Sequence, residues 1–94
     1  MRAYELAFIL RPTLDGDSLT ACVEWLKDQI QAQTGEVTKV DEWGRRNLAY
    51  PINNFQEGYY VLVQANMLPE SLLELERNIK LSEDIIRYMF IKIE

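Results

Sequence analysis

The amino-acid sequence predicts an α+β sandwich, a four-stranded antiparallel sheet with two helices packed on one face. Three observations carry that expectation. Ninety-four residues suffice for one hydrophobic core and no second one, so the whole of 1–94 reads as a single domain. With 48% hydrophobic against 27% charged residues, the chain has enough apolar surface to fold unaided. Along the chain, apolar residues alternate at period two in four stretches and recur at three- and four-residue steps in two.

Tyr4, Leu6, Phe8 and Leu10 alternate with smaller or charged residues, so Tyr4 to Leu10 reads as a strand with one strongly buried face. Pro12 and Asp15-Gly16-Asp17 end it, and Asp17 or Ser18 is placed to cap a helix. Leu19, Cys22, Val23, Leu26 and Ile30 form that helix's apolar stripe, which stops near Thr34-Gly35. A second extended region covers Val37 to Ile52, where the parity change between Val37 and Val40 predicts a bulge and Gly44 marks another irregularity. Asn53 to Gly58 reads as a hairpin-like loop, and Tyr59 to Met67 as a third strand rich in aromatic and β-branched residues. Pro69 fits the first turn of a helix carrying Leu68, Leu72, Leu75 and Ile79, and Ile85 to Ile93 alternates as a fourth strand. This β-α-β-β-α-β order is the ferredoxin-like arrangement. Both helices cover one sheet face. With Leu6, Phe8, Leu10, Tyr88 and Phe90 turned to the helices, Ala7, Ile9, Tyr60, Leu62, Met89 and Ile91 line the open face with Glu5 and Arg87, an apolar surface suited to a partner.

Composition excludes several chemistries. Without histidine and with one cysteine, Cys22, the chain cannot build a Cys/His zinc site, an internal disulfide or a histidine-activated nucleophile. Cys22 falls on the helical apolar stripe and reads as core packing. No apolar run is long enough to cross a membrane and no transit-type extension is present, so a cytoplasmic protein is expected. The net charge of −5 and pI of about 4.7 argue, taken whole, against a nucleic-acid partner. The acid is localised, however. Asp15, Asp17, Glu24, Lys27 and Asp28 of the first helical stretch sum to −3, and Glu70, Glu74, Glu76, Arg77, Lys80, Glu83 and Asp84 of the second also sum to −3, which leaves +1 for the strands and loops.

The densest basic feature is Trp43-Gly44-Arg45-Arg46-Asn47-Leu48-Ala49-Tyr50-Pro51. Adjacent guanidiniums between aromatics suit phosphate gripping and stacking on bases or riboses, although charges also protect an edge strand. Arg2, Arg87 and Lys92 add basic groups on the first and last strands. Glu57-Gly58-Tyr59-Tyr60 matches the RNA recognition motif poorly, since Glu57 and Tyr60 stand where that signature has a basic and a small residue. Stacking at Tyr59 or Tyr60 competes there with packing inside the sheet. An enzymatic reading rests on Arg11 as a phosphate ligand, but Arg11-Pro12-Thr13-Leu14-Asp15 is not glycine-rich and Pro12 removes a donor. Asp41-Glu42 and Glu83-Asp84 are adjacent in sequence and diverge, so neither pair forms a catalytic dyad.

Met1-Arg2-Ala3-Tyr4-Glu5, Gly44-Arg45-Arg46-Asn47-Leu48-Ala49-Tyr50-Pro51-Ile52, Gly58-Tyr59-Tyr60 and Ile85-Ile86-Arg87-Tyr88-Met89 together resemble the family of protein six of the bacterial small ribosomal subunit. The likeness covers essentially the whole chain. It implies a non-catalytic, cofactor-free structural protein of the ribosomal platform, which binds the central domain of 16S ribosomal RNA together with small-subunit protein eighteen. On the family's basic positions, Arg2, Arg46, Arg87 and Lys92 become the expected RNA contacts, with Arg45 beside the motif arginine. Trp43, Tyr50, Tyr60, Leu62 and Met89 are the candidate partner contacts. Many members carry a tail beyond the last strand that helps hold the partner; this sequence ends at Glu94, and those contacts are not carried over. The alternative is a ferredoxin-like interaction or small-ligand module that dimerises through its open sheet.

Overall fold

A computed structural model describes residues 1–93. The chain runs β1 (Arg2–Leu10), α1 (Gly16–Ala32), β2 (Glu36–Ile52), β3 (Phe55–Met67), α2 (Ser71–Lys80) and β4 (Ile85–Lys92). The strands form one antiparallel sheet in the order β2-β3-β1-β4, which is the ferredoxin-like arrangement. The parity expected for β1 holds. Tyr4, Leu6, Phe8 and Leu10 are buried and pair with Ala65, Val63, Val61 and Tyr59 of β3. Leu26 and Ile30 of α1 and Leu75 and Ile79 of α2 close over them to complete the core.

Several boundaries differ from the expected ones, each for a local reason. Asp15 caps α1 instead of Asp17 or Ser18, because its carboxylate accepts from the Ser18 amide at 2.8 Å. That bond holds the Asp15 carboxyl below its ordinary range. At the other end Thr34 takes the left-handed conformation (φ 59°). The Gly35 amide then returns to the Ile30 carbonyl at 3.0 Å and the Thr34 amide to Gln31 at 3.0 Å, a Schellman closure with threonine in the position usually given to glycine. Gly35 is needed for space, since a Cβ there would lie 2.8 Å from the Ile30 carbonyl oxygen. The hairpin between β2 and β3 is tighter than expected. Asn53 and Asn54, with φ of 50° and 69°, make a two-residue turn, so β3 starts at Phe55 and not at Tyr59. Leu68 and Pro69 precede α2 in a turn closed by Ser71 donating to Leu68 at 2.9 Å.

Cys22 is buried in the core, and burial, with the Asp84 carboxylate nearby, pushes its thiol from 9.0 up to about 11. In the unfolded chain the thiol ionises near its ordinary value, so above that pH the unfolded state holds fewer protons and stability falls as pH rises, until the folded thiol also ionises. At up to ~1.4 kcal/mol per pH unit, the wild type should lose about 2 kcal/mol more than Cys22→Ala between pH about 8 and about 11. Urea midpoints at the two pH values read this. Tyr59 and Tyr88, raised by burial and by their bonds to Glu42 and Glu76, titrate in both proteins and cancel in the difference.

Candidate nucleic-acid interface

Register determines what the open sheet face displays. Cross-strand rows place Asp41, Leu62, Ala7 and Met89 side by side, then Gly44, Tyr60, Ile9 and Arg87, with Lys39, Gln64, Glu5 and Ile91 on the other side. The expected bulge after Val37 is present, and so is the irregularity at Gly44. There Trp43 is an extra residue between the pairs Glu42–Val61 and Gly44–Tyr60, and Gly44 adopts φ 85°, a conformation natural only to glycine.

Strand alternation sends the two motif arginines to opposite faces, and that extra residue decides which of them takes the open one. Arg45 pairs with Tyr59 on the helix side of the sheet, whereas Arg46 pairs with Gly58 on the open side. They therefore do not grip one phosphate as adjacent guanidiniums. Trp43 lies nearly parallel to Tyr60 (9°, centroids 6.5 Å apart) and its indole N–H donates to Asp41 at 3.1 Å. The Arg46 guanidinium sits 6.0 Å from the Trp43 ring centroid. Trp43, Arg46 and Tyr60 enclose a shallow cavity of about 360 Å³. Tyr60 thus stacks on the open face, while Tyr59 donates its hydroxyl to Glu42.

A second arginine–aromatic pair joins the two edges of the sheet. Arg87 of β4 lies 5.7 Å from the Tyr50 ring centroid and donates to the Tyr50 hydroxyl, although two strands separate β2 from β4. The contact is possible because pairing breaks between Asn47–Glu57 and Ile52–Phe55, which frees residues 48–51 to arch off the ladder. Leu48 reaches over Gly58, whose missing Cβ would stand 3.6 Å from a Leu48 methyl and 2.3 Å from Ile9. Nothing local in the sequence signals this clasp, since its partners are 37 residues apart. Beside it, Ala7, Leu62 and Met89 form an aliphatic strip, with Met89 half exposed.

The remaining basic residues stand elsewhere. Arg2 pairs with Met67 and Lys92 with Tyr4, which gives both the parity of the helix side. Arg2 lies seven residues along β1 from the Ile9–Arg87 pair, about 23 Å at 3.3 Å per residue. The expected RNA contacts therefore form two groups, Arg46 with Arg87 among the aromatic partner candidates, and Arg2 with Lys92 at the opposite end. Arg11 is turned onto its own fold, its charge paired with Asp84 at 2.8 Å and a second nitrogen donating to Thr13 at 2.6 Å, and it does not form an anion cradle. Charge pairing separates the arginines further. Among the described residues, ion pairs involve Arg11, Lys27 and Arg77, while Arg46 and Arg87 rest on aromatic rings with their charges uncompensated.

The model of the family described as "Ribosomal protein S6" matches residues 3–92. The small ribosomal subunit protein bS6 of Moorella thermoacetica is 45% identical over 94 residues, covering 100% of this chain and 96% of the relative. That of Clostridium novyi is 46% identical over 94 residues, covering 100% and 99%. Among solved structures, the crystal structure of 30S ribosomal protein S6 from Thermotoga maritima superposes with a TM-score of 0.92 at 32% identity, covering 97% of this chain and 86% of that one.

Proposed function

The chain belongs to the ribosomal protein S6 family, non-enzymatic constituents of the small ribosomal subunit, and from that premise we propose that it binds the central domain of 16S ribosomal RNA jointly with small-subunit protein eighteen. The observation that carries this reading is the pair of uncompensated arginines on the open face. An aromatic ring restricts a guanidinium without neutralising it, so Arg46 and Arg87 keep their charge and most of their N–H donors for phosphate oxygens. Arg2 and Lys92 supply a second, separate phosphate contact, with Arg45 on the helix side near the hairpin. Trp43, Tyr50, Tyr60, Leu62 and Met89 form the surface for protein eighteen, next to Arg46 and Arg87.

So few basic contacts on a chain of net charge −5 bind RNA weakly alone. A basic companion strengthens the complex by adding its own phosphate contacts to the same RNA. The test is binding of a central-domain RNA fragment, with and without protein eighteen, over a salt series. Arg46→Ala with Arg87→Ala should weaken the joint complex at least about tenfold and lower its salt slope by about 2, with a thermal midpoint within a few degrees of wild type. Tight binding by the isolated chain at physiological salt, unchanged by protein eighteen, is the result against joint binding. An unaltered salt slope in the double variant is the result against these two arginines.

A further inference from the structure

We propose that the groove between α1 and the end of α2, on the face opposite Arg46 and Arg87, docks a basic amphipathic peptide segment of a partner protein. The groove is a cavity of about 640 Å³, large enough for one or two side chains. Ala21 and Trp25 of α1 form one wall and Asn78, Leu81 and Ser82 the other, with Cys22 buried at its floor. Leu81 is 80% exposed, the most exposed large apolar side chain of the described residues.

Charge decides the occupant. Asp17, Ala21, Trp25 and Asp28 fall on one row of α1 at four-, four- and three-residue steps, which sets a carboxylate at each end of the apolar wall. Glu83 follows Ser82 at the far rim. On the rest of this layer Glu24 pairs with Lys27 and Glu74 with Arg77, Glu76 accepts from the Tyr88 hydroxyl, and Asp84, at the groove itself, pairs with Arg11. Asp17, Asp28 and Glu83 form no ion pair among the described residues. The two helical stretches carry −3 each, so the helix layer around the groove, away from the strand cations Arg2, Arg45 and Lys92, repels both a phosphodiester backbone and the same surface of a second copy. A segment with leucine-like side chains for the groove and lysines or arginines for its rim complements both features.

The test uses the full chain with Trp43→Phe, which leaves Trp25 as the single indole of the two. An amphipathic leucine–lysine peptide should shift Trp25 emission to the blue saturably and less strongly as salt rises. The matching leucine–glutamate peptide should leave it unmoved. Leu81→Asp should raise the Kd at least about tenfold, and at this exposed position the fold survives, as the thermal midpoint verifies. Asp17→Asn with Asp28→Asn should weaken binding and flatten its salt dependence. The proposal is overturned by absence of a shift, by equal shifts with both peptides, by an oligolysine peptide that does as well, or by indifference to both variants. Concentration-dependent dimers abolished by Leu81→Asp would assign the groove to a second copy instead.

Discussion

Phe8→Ala should lower the unfolding free energy by about 3–5 kcal/mol, the range for removing a large aromatic side chain from a core. Phe8 is 1% exposed at the centre of β1, between Val61 of β3 and Tyr88 of β4, with its ring edge-to-face against Phe90 at 6.3 Å. No neighbour can collapse into the space without leaving the sheet or the helix layer, so the cavity persists. At about 4–8 °C per kcal/mol for a chain of this size, the thermal midpoint should fall by more than ten degrees. Against a total stability of roughly 5–15 kcal/mol, the loss takes between about a fifth and the whole of the margin. Urea denaturation with unchanged slope and a lower midpoint is the expected record. A loss below about 1 kcal/mol would mean that the core refills the site.

Gly58→Ala should cost about 1–3 kcal/mol by overpacking, and it should weaken RNA assembly as well. The new Cβ would stand 2.3 Å from Ile9 Cγ2, and that methyl is attached directly to Cβ, so a small side-chain rotation does not clear it. Either β3 or β1 moves. Because Gly58 pairs with Arg46 and lies under Leu48, the movement reaches the arched segment 48–51 and the Tyr50–Arg87 clasp. Ile9→Ala removes the clashing methyl. The double variant should therefore be more stable than the sum of the two single losses, with a favourable coupling of roughly 1 kcal/mol or more. Additive losses would place the strain elsewhere, at the Leu10 carbonyl or within β3.

These two sites show what is legible in the residues. Phe8 belongs to the alternation of β1, and its burial follows from period two once that strand has a helix layer above it. Gly58 is visible as a motif glycine, but its reason is the Ile9 methyl across a strand pair some fifty residues away in sequence, which no local pattern carries. The charge arithmetic behaves in the same way. The acidity of the helical stretches is readable segment by segment. That Asp17 and Asp28 bracket an apolar groove requires α2 to lie beside α1.

By itself the sequence determined the order of elements, the single core and the faces that β1, β3 and β4 bury, because these follow from side-chain periodicity and from the conformational limits of glycine, proline and asparagine. It also contained the motif residues that place the chain among ribosomal S6 proteins. Only the tertiary structure decided which of those residues act together. One unpaired residue, Trp43, reverses the parity of β2, so Arg46 joins Arg87 and the aromatics on the open face while Arg45 turns to the other side. A strand's side chains alternate strictly, and a single extra residue exchanges the faces of all that follow. Whether the partner strand tolerates that residue depends on hydrogen bonds to β3, and these exist only once the sheet has formed.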